Sequence, residues 1–155
     1  MRRAVLLVMF LLVFAAASSA FATTYYVDDD ATSPYLGTSD QPFLHPQDAA
    51  DVVDPGDTVI VRDGTYYDSP PDASEPSIIK LSRTNGTSSN PIVFRSENPW
   101  GAVLDGDSNA ADWGIQIWNP SGNASYVTIE GFEIKDCASS GIHTWDADHV
   151  LIKGN

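Results

Sequence analysis

The sequence predicts an all-β chain wound as a parallel solenoid of about three to four coils, with one short helix near its start. Three observations carry this. Short apolar-alternating runs recur along the chain, they fall into two interleaved series, and only one segment carries helix signals. In the first series Val59-Ile60-Val61-Arg62 aligns with Ile92-Val93-Phe94-Arg95, Val127-Thr128-Ile129-Glu130 and Val150-Leu151-Ile152-Lys153, at offsets of 33, 35 and 23 residues. In the second, Ile79-Lys80-Leu81-Ser82 aligns with Ile115-Gln116-Ile117-Trp118 and Ile142-His143-Thr144-Trp145, at offsets of 36 and 27. The first and third positions of each unit are mostly apolar, so alternation turns them inward and the others outward. Constant strands with variable spacers suit coils that each add one rung to each sheet. A β-sandwich is the rival reading, but antiparallel hairpins would not require two series in step.

The elements follow in order. Met1-Arg2-Arg3, the apolar stretch Ala4 to Ala17 and the small-x-small site Ala20-Phe21-Ala22 form the three parts of a secretory signal peptide, residues 1–22. As a membrane anchor the apolar run is short, and no positive cluster follows it. Residues 23–56 hold a strand at Thr23–Val27, rich in β-branched and aromatic residues, then a polar loop. A helix follows over Pro46–Val53, with Pro in its first turn and a stop at Asp54-Pro55-Gly56. It is too short to stand alone and must pack on something. Residues 57–155 are the coils. Their last rung has no polar cap, which terminal repeats normally need, so the chain reads as truncated at its C-terminus.

Charge narrows the function. Of 155 residues 21 are acidic and 8 basic, and two of the basic ones, Arg2 and Arg3, lie in the leader. So negative a chain argues against nucleic acid as a partner, and against a membrane once the leader is cleaved. The expected location is outside the cytosol, secreted, extracellular or periplasmic. The single Cys137 forms no internal disulfide. No Gly-rich phosphate loop, HExxH, CxxC or GxSxG motif is present.

Tyr25-Tyr26-Val27, Gly37-Thr38 with Gln41-Pro42-Phe43, Pro55-Gly56-Asp57-Thr58-Val59 and Asp63-Gly64-Thr65-Tyr66 resemble the N-terminal part of secreted right-handed parallel β-helix proteins of the pectate-lyase-like type. Asn85-Gly86-Thr87, Asn90-Pro91-Ile92, Val103-Leu104-Asp105-Gly106 and Val127 to Ile134 extend the likeness over residues 24–155. The resemblance implies that the helix caps the first coil. It also implies that the calcium-binding Asp cluster and catalytic base of lyase members lie on coils beyond this chain.

Candidate site residues follow from the outward rows. The fourth positions of the first series, Arg62, Arg95, Glu130 and Lys153, make either a cationic strip for sugar carboxylates or a solvated ladder in which Glu130 neutralises its neighbours. The second series gives the rows Lys80/Gln116/His143 and Ser82/Trp118/Trp145. Trp118 and Trp145, with Gln116 and His143 beside them, form a platform for sugar rings, or else a long turn covers them. Asp105, Asp107 and Asp112 stand in an oxygen-rich loop of the kind Ca²⁺ accepts. It is not an EF-hand, because Ala110 stands where Gly is needed and Gln116 where Glu is needed, and the alternative is a plain polar turn. Asp28-Asp29-Asp30 is a weaker candidate of the same kind. Asn85-Gly86-Thr87 and Asn123-Ala124-Ser125 fit the glycosylation triplet.

Two functions remain. The first is a secreted β-helix that binds an extracellular polysaccharide or forms the N-terminal part of a polysaccharide-active protein. The alternative is a uronate polysaccharide lyase, working by calcium-assisted β-elimination, with its active-site coils missing. Such a reaction needs a base, for which Arg95 and Lys153 are the candidates, and a cation on the substrate carboxylate. A glycoside hydrolase would need two facing carboxylates instead, and Glu130 and Asp146 cannot be placed from sequence.

Overall fold

The computed structural model describes residues 22–67, 76–82, 85–107, 110–118 and 124–155. All but the last residue of the proposed leader lies outside them. After β1 (Thr24–Val27) and α1 (Pro46–Ala50), the chain cycles through three parallel sheets. The first coil is β2 (Thr58–Val61), β3 (Gly64–Tyr66) and β4 (Ser77–Leu81). The second is β5 (Ile92–Ser96), β6 (Ala102–Asp105) and β7 (Trp113–Trp118). The third is β8 (Ala124–Glu130), β9 (Glu133–Lys135) and β10 (Ser140–Trp145), and β11 (Ala147–Lys153) follows. The first sheet runs β1-β2-β5-β8-β11, the second β4-β7-β10 and the third β3-β6-β9, with every pairing parallel. The fold is a parallel β-helix, and the sandwich reading is excluded.

The tube is filled by the inward rows. Val59, Phe94 and Ile129 stack in the first sheet, Ile79 and Ile115 in the second, and Tyr66 and Leu104 in the third, all of them buried. At about 1.5–3 kcal/mol per buried aliphatic or aromatic side chain, these rows dominate stability. The second series pairs as the sequence predicts: Ile79↔Ile115↔Ile142, Lys80↔Gln116↔His143 and Trp118↔Trp145.

The first series needs one correction. Val59 pairs with Phe94, not with Ile92, so β2 sits two residues further along β5 than the quartet alignment puts it. A two-residue slip keeps every side chain on its expected face, which is why the core is undisturbed. It does move Arg62 out of the row that holds Arg95. The outward row reads Tyr26, Ile60, Arg95, Glu130, Lys153. The third sheet has no counterpart in the two series, because its strands are only three or four residues long. The helix is also shorter than predicted, ending at Ala50, with Asp51 as its C-cap.

Every coil leaves one edge of each sheet needing partners, and at the N-terminal end other groups supply them. The Tyr26 N–H donates to the Gly37 carbonyl and the Phe43 N–H to the Tyr26 carbonyl, each at 2.9 Å, which closes the first sheet. Above the second sheet the Gln47 carboxamide acts as a one-residue strand. Its Nε2 donates to the Lys80 carbonyl (3.2 Å) and its Oε1 accepts from the Lys80 N–H (2.7 Å). Above the third, the Asp29 carboxylate accepts the Thr65 N–H at 2.9 Å. It comes down so close on Gly64 that any Cβ there would collide with it. Asp57, almost wholly buried, accepts the Thr23 N–H (2.7 Å) and the Asp54 N–H (2.8 Å), tying β1 to the helix exit.

Two outcomes test this architecture. Ile129→Asp buries a charge at a position with no exposure and should abolish soluble, secreted protein; a variant that stays folded would mean Ile129 does not face the tube. Gln47→Ala leaves two strand groups unpaired and should lower unfolding free energy by about 1–3 kcal/mol in denaturant titration, with an unchanged value refuting the cap.

Candidate functional site

Parallel stacking turns sequence spacing into geometry: equivalent residues of successive coils lie about 4.8 Å apart, one above another. On the outer face of the second sheet this places Trp118 beside Trp145 and His143 beneath Gln116. Trp145 is 62 % exposed and Trp118 is half-buried. The His143 ring stacks on Trp113 at 4.9 Å and presents its edge to Trp145 at 6.4 Å. Trp113 was not among the residues the sequence singled out. Strict alternation along β7 puts it with the inward Ile115 and Ile117, yet its partly exposed ring lies against His143. Gln116 departs from expectation in the other direction. Its row faces outward, but it is only 3 % exposed, and among the described residues its Oε1 has no hydrogen-bond partner. It is therefore not presented to a ligand.

A cleft of about 460 Å³ opens at the head of this face, where α1 meets β4, and is lined by Gln47, Ala50, Asp51, Lys80 and Ser82. Gln47 thus does two things: it closes the sheet edge and, donating to Asp51 at 2.8 Å, shapes the cleft wall. The cleft, His143 and the two Trp lie along one side of the molecule.

The first-sheet row behaves as a ladder. The Lys153 ammonium meets the Glu130 carboxylate at 3.1 Å, whereas Arg95, the register neighbour on the other side, makes no ion pair with it. Arg62 is not part of that row and is already committed. Its Nη1 lies 2.9 Å from Asp28, its Nη2 donates to the Ser39 carbonyl at 2.8 Å, and its guanidinium sits 5.6 Å over the Tyr26 ring. The Asp28 hydrogen bond pushes its pKa up. Arg62 is thus a strut for the N-terminal loop and is withdrawn as a substrate-binding residue. Arg95 and Lys153 lie on the first sheet, away from the Trp pair on the second.

The calcium reading of the acidic loop does not fit what the described residues do. Asp105 is held by Lys135 at 3.0 Å and accepts the Asp107 N–H at 3.0 Å. Those bonds pull its pKa below the usual carboxylate range, with Lys135 the larger cause. Among the described residues no three His, Cys, Asp or Glu side chains converge on a point that could hold a metal. Ser108 and Asn109 of the loop lie outside those residues. Of the weaker trio, Asp28 pairs with Arg62, Asp29 caps β3, and the Asp30 N–H donates to Asp28 at 3.1 Å. Asp146, at φ +47°, forms the corner between β10 and β11. Asn123 of the second glycosylation triplet is also outside the described residues.

The Asp105–Lys135 pair gives a signed pH dependence. A carboxyl whose folded pKa lies below its unfolded value of about 3.9 stabilises the protein above that pH and loses the contribution as pH falls through the folded value. Asp105→Asn should therefore lower Tm at neutral pH and flatten the drop in Tm below about pH 4. An acid limb identical to that of the unmodified protein would contradict the pairing.

Comparisons with known proteins agree with this geometry. No curated protein matches the chain. A rhamnogalacturonan lyase of known structure shares the fold, with a TM-score of 0.55 and 22 % identity, over 73 % of this chain and 28 % of that one. The chain thus spans little more than a quarter of that relative's length. The family described as Pel9A-like, right-handed β-helix region, matches residues 25–154. With three parallel sheets wound in successive coils and this match across nearly all of its folded part, the chain belongs to the Pel9A-like, pectate-lyase-like right-handed β-helix family.

Proposed function

We propose that the outer face of the second sheet binds an extracellular polysaccharide, with Trp118 and Trp145 carrying sugar rings, His143 bonding their hydroxyls, and the leader directing the protein out of the cytosol. The observation that carries this is the in-register pair Trp118 and Trp145, with Trp145 62 % exposed beside His143. Exposing a large indole is unfavourable unless something covers it in use. A sugar ring offers a flat C–H face to an indole and hydroxyls to polar neighbours. The 460 Å³ cleft at the head of the same face extends the path a chain would follow. Membership of a polysaccharide-active family and the likeness to a rhamnogalacturonan lyase support a glycan as the ligand class.

Binding is favoured over β-elimination by the separation of parts. Arg95 and Lys153, the candidate bases, are on a different sheet from the aromatic platform, and β-elimination needs the base within hydrogen-bond reach of the sugar carbon it deprotonates. His143, packed between two indoles, is a positioned hydrogen-bonding group.

The test is retention on insoluble polysaccharides. Replacing both Trp118 and Trp145 with Ala should weaken retention by about tenfold or more while leaving the far-ultraviolet circular dichroism unchanged. Equal retention by a folded double variant would remove the proposal.

A further inference from the structure

A second cleft, of about 290 Å³, lies away from the second sheet, at the turn that carries the chain from the first sheet to the third. Arg95 and Glu97 line it, Trp100 forms a wall, Glu130 stands beside Arg95 in the ladder, and Gly131 and Gly154 form the floor. Its construction is specific in three ways. Among the described residues the Arg95 guanidinium has neither an ion pair nor a hydrogen bond, because Lys153 has taken Glu130. Arg95, on β5, and Glu97, just beyond its end, both line the cleft. They do not pair with each other, so the cleft keeps a cation and an acceptor side by side. Trp100 is 60 % exposed, but its ring is fixed: Nε1 donates to the Gly154 carbonyl at 2.9 Å, and its backbone N–H donates to the Gly131 carbonyl at 2.6 Å. It holds φ +61°, a conformation that bulky residues rarely adopt, so the turn keeps this indole in place against local strain.

The geometry points to a second binding site here, for a single hydroxylated ring bearing one carboxylate, that is, a monomeric or chain-end sugar acid. The carboxylate meets the Arg95 guanidinium at two points, a neighbouring hydroxyl donates to Glu97, and the ring's C–H face lies on the Trp100 indole. Gly131 and Gly154, both at positive φ (+77° and +67°), present no side chains, so a flat ring approaches the backbone. The volume is at the lower end for small-molecule sites and holds one ring, not an extended chain. The site is on a different face from Trp118 and Trp145 and stands whether or not that platform binds glycan.

The test follows the Trp100 indole N–H resonance by NMR, assigned by its loss in Trp100→Phe, while sodium D-glucuronate, D-glucose or sodium acetate is titrated into the full chain. Glucuronate should shift the resonance with a Kd of about 1 mM, glucose and acetate at least about tenfold more weakly. Arg95→Gln should weaken glucuronate binding by about tenfold or more, and the Trp118→Ala, Trp145→Ala double variant should leave it unchanged. No shift with glucuronate overturns the site. Equal response to acetate reduces it to a bare anion contact and overturns the ligand class. Loss of the response in the double Trp variant assigns it to the platform and overturns it as a separate site.

Discussion

A parallel coil cannot satisfy its own backbone. Each of its strands donates to and accepts from the coils above and below, and on that constraint the rest of this structure depends. Stacking at a fixed spacing lets the inward aliphatic rows close over one another, and it puts side chains from distant parts of the chain into contact. Trp118 and Trp145 are 27 residues apart in sequence yet directly paired. The platform and the ladder are by-products of the requirement that fills the tube.

The same constraint explains what the sequence revealed and what it did not. Second-series register was legible because each quartet carries two Ile, Leu or Thr positions around one polar residue, leaving one alignment that suits all three. First-series register was ambiguous by two residues, since Thr58-Val59-Ile60-Val61 offers apolar side chains at several positions and a slip of two preserves the faces. The fold survived that ambiguity, whereas Arg62 did not: its partner turned out to be Asp28 in the N-terminal loop, a contact no periodicity encodes. The third sheet was hidden by brevity, because three residues such as Glu133-Ile134-Lys135 are too few to show alternation. Burial of Gln116 in an outward row leaves no local signal, nor does the stacking of Trp113 on His143 of the next coil.

Electrostatics in so acidic a chain is dominated by where the few cations go. Arg62, Lys135 and Lys153 are each spent on one carboxylate, respectively Asp28, Asp105 and Glu130. Each pair joins elements distant in sequence or adjacent in the stack, and each lies at the surface, where screening limits its energetic weight. Their main effect is positional, fixing a loop or a corner. Among the described residues Arg95, on β5 of the second coil, has no such task.

The closures at the N-terminal end also protect it. Phe43, Gln47 and Asp29 blunt the three sheets on that end, each by a different device. A foreign strand seeking to add itself there finds these hydrogen-bonding sites occupied. The N-terminal end is therefore guarded against accretion by strand pairing, whether ordered assembly or aggregation.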